Sequence, residues 1–299
     1  MEKFQKKNFF QLKKMQLEAV EQYFVELRKY QFEQHIPLKN IEIRKRIHKL
    51  LWYIIKLERI ISKEELKVIG DKRVESIAPK IYACTHIGGN DVQRTFEAIK
   101  EHAYLFLGDP KELYRDITGV ILNLNGAICL ETNNKEDRKI AYSRALELLR
   151  TGANLLIYPE GAWNITENLP VMGLYKGAVK MAAETGADIV PVAIEQYDNL
   201  FYVNIGENIK YNQATSHDLE YMNQLLRDKM ATLKWEIWEY YGLCSRAFIT
   251  EEFRRNFQQN IVDRCEYDFT IQDVYDTMYH DPNVTSPEEV FGLKKRINK

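Results

Sequence analysis

The sequence predicts an α/β fold: a mainly parallel sheet flanked by helices, with a helical segment before it and a helical extension after it. Short apolar runs alternate with helical patterns of 10–17 residues, the rhythm of a parallel sheet covered on both faces. Glycines stand where helical patterns stop, at Gly152 and Gly186. At 299 residues, 45% hydrophobic and 28% charged, the chain is long and apolar enough to bury one large core. The expected division is a helical segment over 1–65, the α/β domain over 66–242 and the extension over 243–299.

Residues 3–34 carry apolar side chains at helical spacing and predict one or two helices, ended by Pro37. From Ile41 to Ile61 the pattern sharpens, with Ile43, Ile47, Leu50, Ile54, Leu57 and Ile61 on one stripe. Lys45, Lys49 and Lys56 lie on the other side beside Trp52. Two fates suit this helix: packing its stripe on the domain behind it, or lying in a membrane interface.

Strands are then expected over Ile81–Cys84, Tyr104–Leu107, Leu122–Leu130, Asn154–Tyr158 and Ile189–Ile194. Helices are expected over Gln93–His102, Lys135–Thr151, Tyr175–Thr185 and Ser216–Tyr241. The tail from Glu251 to Asp281 is aromatic and acidic, with eight Asp/Glu against three Arg, and suggests a helical extension without chemistry of its own.

Net charge is −1, which excludes a general nucleic-acid binder. The balance is uneven. Residues 1–80 hold 19 Lys/Arg against 11 Asp/Glu, leaving −9 for the remainder. A basic front segment suits an anionic membrane surface, an acidic carrier, a phosphate-rich substrate or simply a solvated helical face. Cys84, Cys129, Cys244 and Cys265 form no CxxC and read as reduced cysteines of a cytoplasmic protein. The first residues lack the apolar core of a signal peptide, and no run reaches the ~20 apolar residues of a bilayer span. The expected location is the cytoplasm, with peripheral attachment to the inner face of the cell membrane.

In such a sheet chemistry gathers at the carboxyl ends of the strands. Thr85-His86 follows one strand end, Gly88-Gly89 allows a tight turn, and Asp91 opens the next helix. Asp91 is placed to fold back on the imidazole and hold one tautomer. Gly126-Ala127-Ile128-Cys129-Leu130 comes next, then Tyr158-Pro159-Glu160-Gly161, then Gly173-x2-Lys176-Gly177 and the strand Ile189-Val190-Pro191-Val192-Ala193-Ile194.

With these four blocks in order, residues 65–235 resemble the glycerolipid acyltransferase family, whose best-known member is lysophosphatidate acyltransferase. The resemblance implies an O-acyltransferase that moves a fatty-acyl group from acyl-CoA or an acyl-carrier protein to a hydroxyl or amine. In that reading His86 is the general base, Asp91 its support, and Glu160 belongs to the acceptor site. A base near neutral pH and donors for a developing oxyanion are what the reaction requires. Gly88 and Gly89 are the expected source of backbone N–H groups for that oxyanion. The thioester is a co-substrate, and no bound cofactor is expected. No metal is expected either, since His86 and Asp91 lack further ligands at suitable spacing.

The departures bear on the acceptor. Where the family has arginines that pair with the acceptor phosphate, this chain has Thr132, and Gly161 is followed by Ala162-Trp163. Neither Thr nor Trp reproduces a guanidinium's bidentate fork. Lys176, Lys135 and Arg138 are the nearest cations. The expected acceptor is therefore not a simple glycerol phosphate, with Gly161, Trp163, Thr132 and Lys176 around it. The acyl chain is expected in an apolar groove between the first helices and the sheet. The competing reading is a catalytically silent, lipid-binding or scaffold relative of the same fold.

Overall fold

A computed structural model describes residues 4–38, 40–166, 169–211, 218–242, 247, 250–264 and 270–280. Three helices come first: α1 (Phe9–Lys13), α2 (Leu17–Glu33) and α3 (Ile41–Ile61). The central unit runs β1 (Glu65–Asp71), β2 (Lys80–Cys84), α4 (Asp91–Ile99), β3 (Tyr104–Gly108), α5 (Ile117–Asn125), β4 (Ala127–Leu130), α6 (Lys135–Arg150) and β5 (Leu155–Ile157). It continues with α7 (Gly177–Thr185), β6 (Asp188–Tyr197), β7 (Leu200–Ile205) and α8 (Leu219–Tyr241). Two further helices follow, α9 (Glu251–Asp263) and α10 (Ile271–Thr277).

The seven strands form one sheet in the order β1-β7-β6-β2-β5-β3-β4. Every neighbouring pair is parallel except the β6–β7 hairpin. That reversal brings the start of β1 to the edge where β2 and β6 end, with Glu65 opposite Leu200. Alternation along β2 divides the core. Ile81 and Ala83 pack with Ala145 and Leu149 of α6, Val179 of α7 and Met230 of α8. Tyr82 and Cys84 face the other way, with Phe96 and Ile99 of α4.

The α/β fold expected from the sequence is present, with several differences in detail. The Leu122–Leu130 strand shrinks to β4, because the residues before it are the helix α5. Asp116 caps that helix, its carboxylate accepting from the Thr118 N–H at 2.6 Å. Gly119 lets the preceding turn approach: a Cβ there would meet the Leu113 carbonyl oxygen at 1.7 Å. Gly126, at φ 118°, turns helix into strand. β1 and β7 are additions to the strands read from the sequence. The start expected for α8 at Ser216, and Cys244 and Cys265, lie outside the described residues.

α3 packs opposite to the commoner fate of an amphipathic helix. Its inward side carries Arg44, His48, Leu51, Trp52 and Arg59. Arg44 donates to the Asn123 and Leu124 carbonyls of α5, and the His48 ring meets Asn125 Oδ1 at 2.8 Å. Arg59 bonds Glu97 of α4 at 2.9 Å, and Arg94 of α4, fully buried, answers Glu58 and Glu64 at 2.5 and 2.7 Å. The seam between α3 and the helices α4 and α5 is thus largely polar, and beside it a cleft is lined by Trp52, Arg59, Leu66, Val68 and Glu97. The predicted stripe faces out, with Leu50 64% and Ile61 72% exposed.

Candidate active site

The site lies at the carboxyl edge shared by β2, β5 and β6. β2 ends at Cys84, and Thr85 locks the next step to β6, its hydroxyl accepting from the Ile194 N–H at 3.0 Å. The chain then turns through Gly88 and Gly89, both at positive φ (80° and 59°), and enters α4 at Asp91. The turn folds Asp91 back as the sequence predicts. His86 Nδ1 lies 2.7 Å from Asp91 Oδ2, which also accepts the Ile87 and Gly88 N–H groups at 2.9 and 3.0 Å. Three contacts thus converge on one oxygen and hold the carboxylate against the turn. A proton on Nδ1 then leaves the Nε2 lone pair directed away from Asp91. Asp91 is buried, whereas the His86 side chain keeps 20% exposure.

The second loop is tied to the first. Glu160, wholly buried after β5, accepts the His86 N–H at 3.1 Å and the Met172 N–H at 2.8 Å. Burial pushes its carboxyl upward, opposed by those two backbone donors. Asn164 N–H closes the ring by donating to the His86 carbonyl at 2.8 Å. Both Glu160 oxygens accept from the backbone, which ties the two loops together. Gly161 at φ 75° is required: a Cβ there would stand 2.3 Å from the Tyr175 ring.

Aromatic rings frame the imidazole. Tyr158 lies against it at 4.3 Å between centroids, with its hydroxyl toward Thr95 at 3.3 Å. Burial and the nearby Asp91 push that phenol well above its ordinary range. Trp163 meets the imidazole edge-on at 6.2 Å. Trp163 also joins a small apolar cluster with Ala162, Ile165, Met172, Ile261 of α9 and Val274 of α10.

The other residues singled out in the sequence are dispersed or engaged. Gly88 N–H is taken by Asp91 and so is not free for an oxyanion; Gly89 N–H has no acceptor in the protein among the described residues. Thr132 sits at the end of β4, three strands from β2, with its N–H and hydroxyl on Asp109 at 2.8 and 2.5 Å. Arg138 turns to the Thr132 carbonyl, and Lys176 pairs with Glu220 of α8. A cleft beside Thr132 is lined by Glu18, Glu21, Asp109 and Glu131, with Lys111. Motif reading missed three features: the Tyr158 contact, the backbone partners of Glu160, and the arrival of α9 and α10. Only Tyr158 was signalled, by its place just before Pro159-Glu160.

Residues 65–195 match the family model described as Acyltransferase. Among curated proteins, the chain is similar to a 1-acyl-sn-glycerol-3-phosphate acyltransferase of Borreliella burgdorferi, 25% identical over 131 residues. That match covers 38% of this chain and 52% of the relative. A 1-acyl-sn-glycerol-3-phosphate acyltransferase of Chlamydomonas reinhardtii is 23% identical over 116 residues, 39% of this chain and 34% of that one. The chain thus spans about half of the first relative and a third of the second. Among solved structures, PlsC from Thermotoga maritima, a 1-acyl-sn-glycerophosphate acyltransferase, superposes with TM-score 0.53 at 14% identity. The superposition covers 77% of this chain and 95% of that one, a likeness of fold.

Proposed function

We propose that the chain, whose residues 65–195 match the Acyltransferase family model, is a member of the glycerolipid acyltransferase family and moves an acyl group from a thioester to a hydroxyl or amine. The observation that carries the reading is the 2.7 Å contact between His86 Nδ1 and buried Asp91 at the sheet's carboxyl edge. Nε2 takes the acceptor proton as the acceptor oxygen or nitrogen attacks the thioester carbonyl. Asp91 stabilises the imidazolium that forms, and the same proton then goes to the departing thiolate. The acceptor is itself the nucleophile, so no acyl-enzyme forms. The Gly89 N–H is a candidate donor to the tetrahedral oxyanion. Glu160 and Asn164 hold the two loops in register around this pair.

The donor is acyl-CoA or an acyl-carrier protein. The acceptor is other than a simple glycerol phosphate. At the two positions where an arginine would grip phosphate stand Thr132, occupied by Asp109, and Trp163, packed under α9. The cleft beside Thr132 has four carboxylates, which repel a phosphate. Detection of free thiol from an acyl-CoA, with and without candidate acceptors, tests both statements. Acceptor-dependent thiol release supports acyl transfer. Lysophosphatidate used as fast as every uncharged acceptor refutes the acceptor assignment.

The reading places the protein in the cytoplasm, on the inner face of the cell membrane. No helix of the described residues is long and apolar enough to cross a membrane. Support for a surface role comes from α3. Leu50, Leu57 and Ile61 project outward, with Ile117 and Leu124 of the neighbouring α5 also exposed and Lys45, Lys49 and Lys56 on the flank. Apolar side chains beside lysines are suited to an anionic lipid interface.

A further inference from the structure

The tail beyond α8, which carries no motif, is seated on both catalytic loops. A Cβ on Gly88 would lie 3.5 Å from the Ile261 carbonyl, and one on Gly161 would lie 3.3 Å from the Thr277 carbonyl. Tyr175 donates to that Thr277 carbonyl at 3.3 Å, and Gln258 of α9 reaches the Ile165 carbonyl at 3.4 Å. Arg264, at the end of α9, presses on the turn that follows His86. A Cβ on Gly89 would meet Arg264 Cβ at 3.2 Å and Cδ at 3.8 Å. The Arg264 side chain thereby lies beside the Gly88-Gly89 turn that follows His86.

This guanidinium is half-buried and carries neither an ion pair nor a side-chain hydrogen bond among the described residues. Glu195 and Asp198 act on it only through space, and Glu195 is already engaged by Lys234 at 2.9 Å and Trp238 at 3.2 Å. The contrast with other arginines is sharp. Arg28, Arg59, Arg73 and Arg94 each have a carboxylate within 3.0 Å. Burying a guanidinium without a partner is costly, and a bidentate oxyanion would offset that cost.

We propose that Arg264 binds a phosphate of the substrate during acyl transfer, so that the carboxyl-terminal helices complete the site. The inference rests on the acyl-transfer reading and extends it to the donor. Either donor class carries a phosphate on its pantetheine arm, whatever the acceptor. Arg264 also stands on the β6 side of His86, away from the acidic cleft at β4. The donor arm is therefore the assigned source, and an acceptor phosphate is the alternative that the test separates.

The test uses the full chain and its Arg264→Ala and Arg264→Lys variants, each checked for unchanged thermal unfolding. Losing a charge-assisted contact lowers affinity by roughly 10–100-fold. Calorimetry with CoA, which needs no turnover, should show that drop for Arg264→Ala and partial recovery for Arg264→Lys. In transfer assays kcat/KM for palmitoyl-CoA should fall about tenfold or more beyond the fall for palmitoyl-N-acetylcysteamine, which has no phosphate. Selectivity appearing instead between a monoacylglycerol and its phosphate would reassign the anion to the acceptor and overturn the donor assignment. Equal CoA affinity in wild type and Arg264→Ala, or equal losses with charged and uncharged substrates, overturns the proposal. Absence of transfer by the wild type with an intact Arg264-dependent CoA affinity would instead count against the acyl-transfer reading alone.

Discussion

Replacing Leu50, Leu57 and Ile61 of α3 by serine should release the protein from anionic vesicles without unfolding it. The three side chains are 64%, 57% and 72% exposed, so most of each is available to an apolar interface. At roughly 2 kcal/mol per fully buried aliphatic side chain, their transfer is worth about 4 kcal/mol. That corresponds to a roughly 1000-fold weaker partition coefficient. The fold should barely notice, since exposed substitutions usually change stability by no more than about 0.5 kcal/mol each. Sedimentation with vesicles containing phosphatidylserine reads the partition, and thermal unfolding provides the control. Raising the salt should weaken the wild type's binding further, because each of Lys45, Lys49 and Lys56 contributes on the order of 1 kcal/mol at an anionic surface. Equal sedimentation of wild type and triple variant would refute the membrane-facing assignment of α3.

Two other outcomes follow from the buried polar groups. Glu160→Gln should destabilise the fold by about 1–3 kcal/mol in denaturant unfolding, because an amide NH2 then faces a backbone N–H that the carboxylate accepted. An unchanged midpoint would show that the two loops are not held through Glu160. His102 and His48 are buried, and burial lowers both imidazoles, His102 to about 4. Since the unfolded chain binds these protons more readily, stability is full above pH ~6.5 and is lost as pH falls toward 4. His102→Gln should flatten this acid limb in unfolding measured across that window; an unaltered slope would contradict it.

How much the sequence reveals depends on the range of the interaction. The His86–Asp91 contact is local, set by five residues and two glycines, and its geometry follows from spacing. Apolar strands in the sheet interior are legible for the same reason. The edge strand β1 is not, since Glu65, Lys67, Val68 and Asp71 stay exposed and its pattern is that of a surface loop. The run Leu122–Leu130 was ambiguous because a short apolar stretch serves helix and strand alike, and only Asp116 and Gly126 divide it. For α3, periodicity defines the stripe but not the side that faces the core. Partners distant in sequence decide that: Asn125 for His48, Glu97 for Arg59. Arg264 lies 178 residues beyond His86 in an unpatterned tail, and only the fold brings it to Gly89.

The central claim is that His86 removes the acceptor's proton. Its most direct test is acceptor-dependent thiol release from acyl-CoA by a folded His86→Ala variant beside the wild type. A loss of at least ~100-fold in the rate of transfer is predicted, the usual contribution of a positioned general base. Undiminished transfer by the variant would contradict the mechanism.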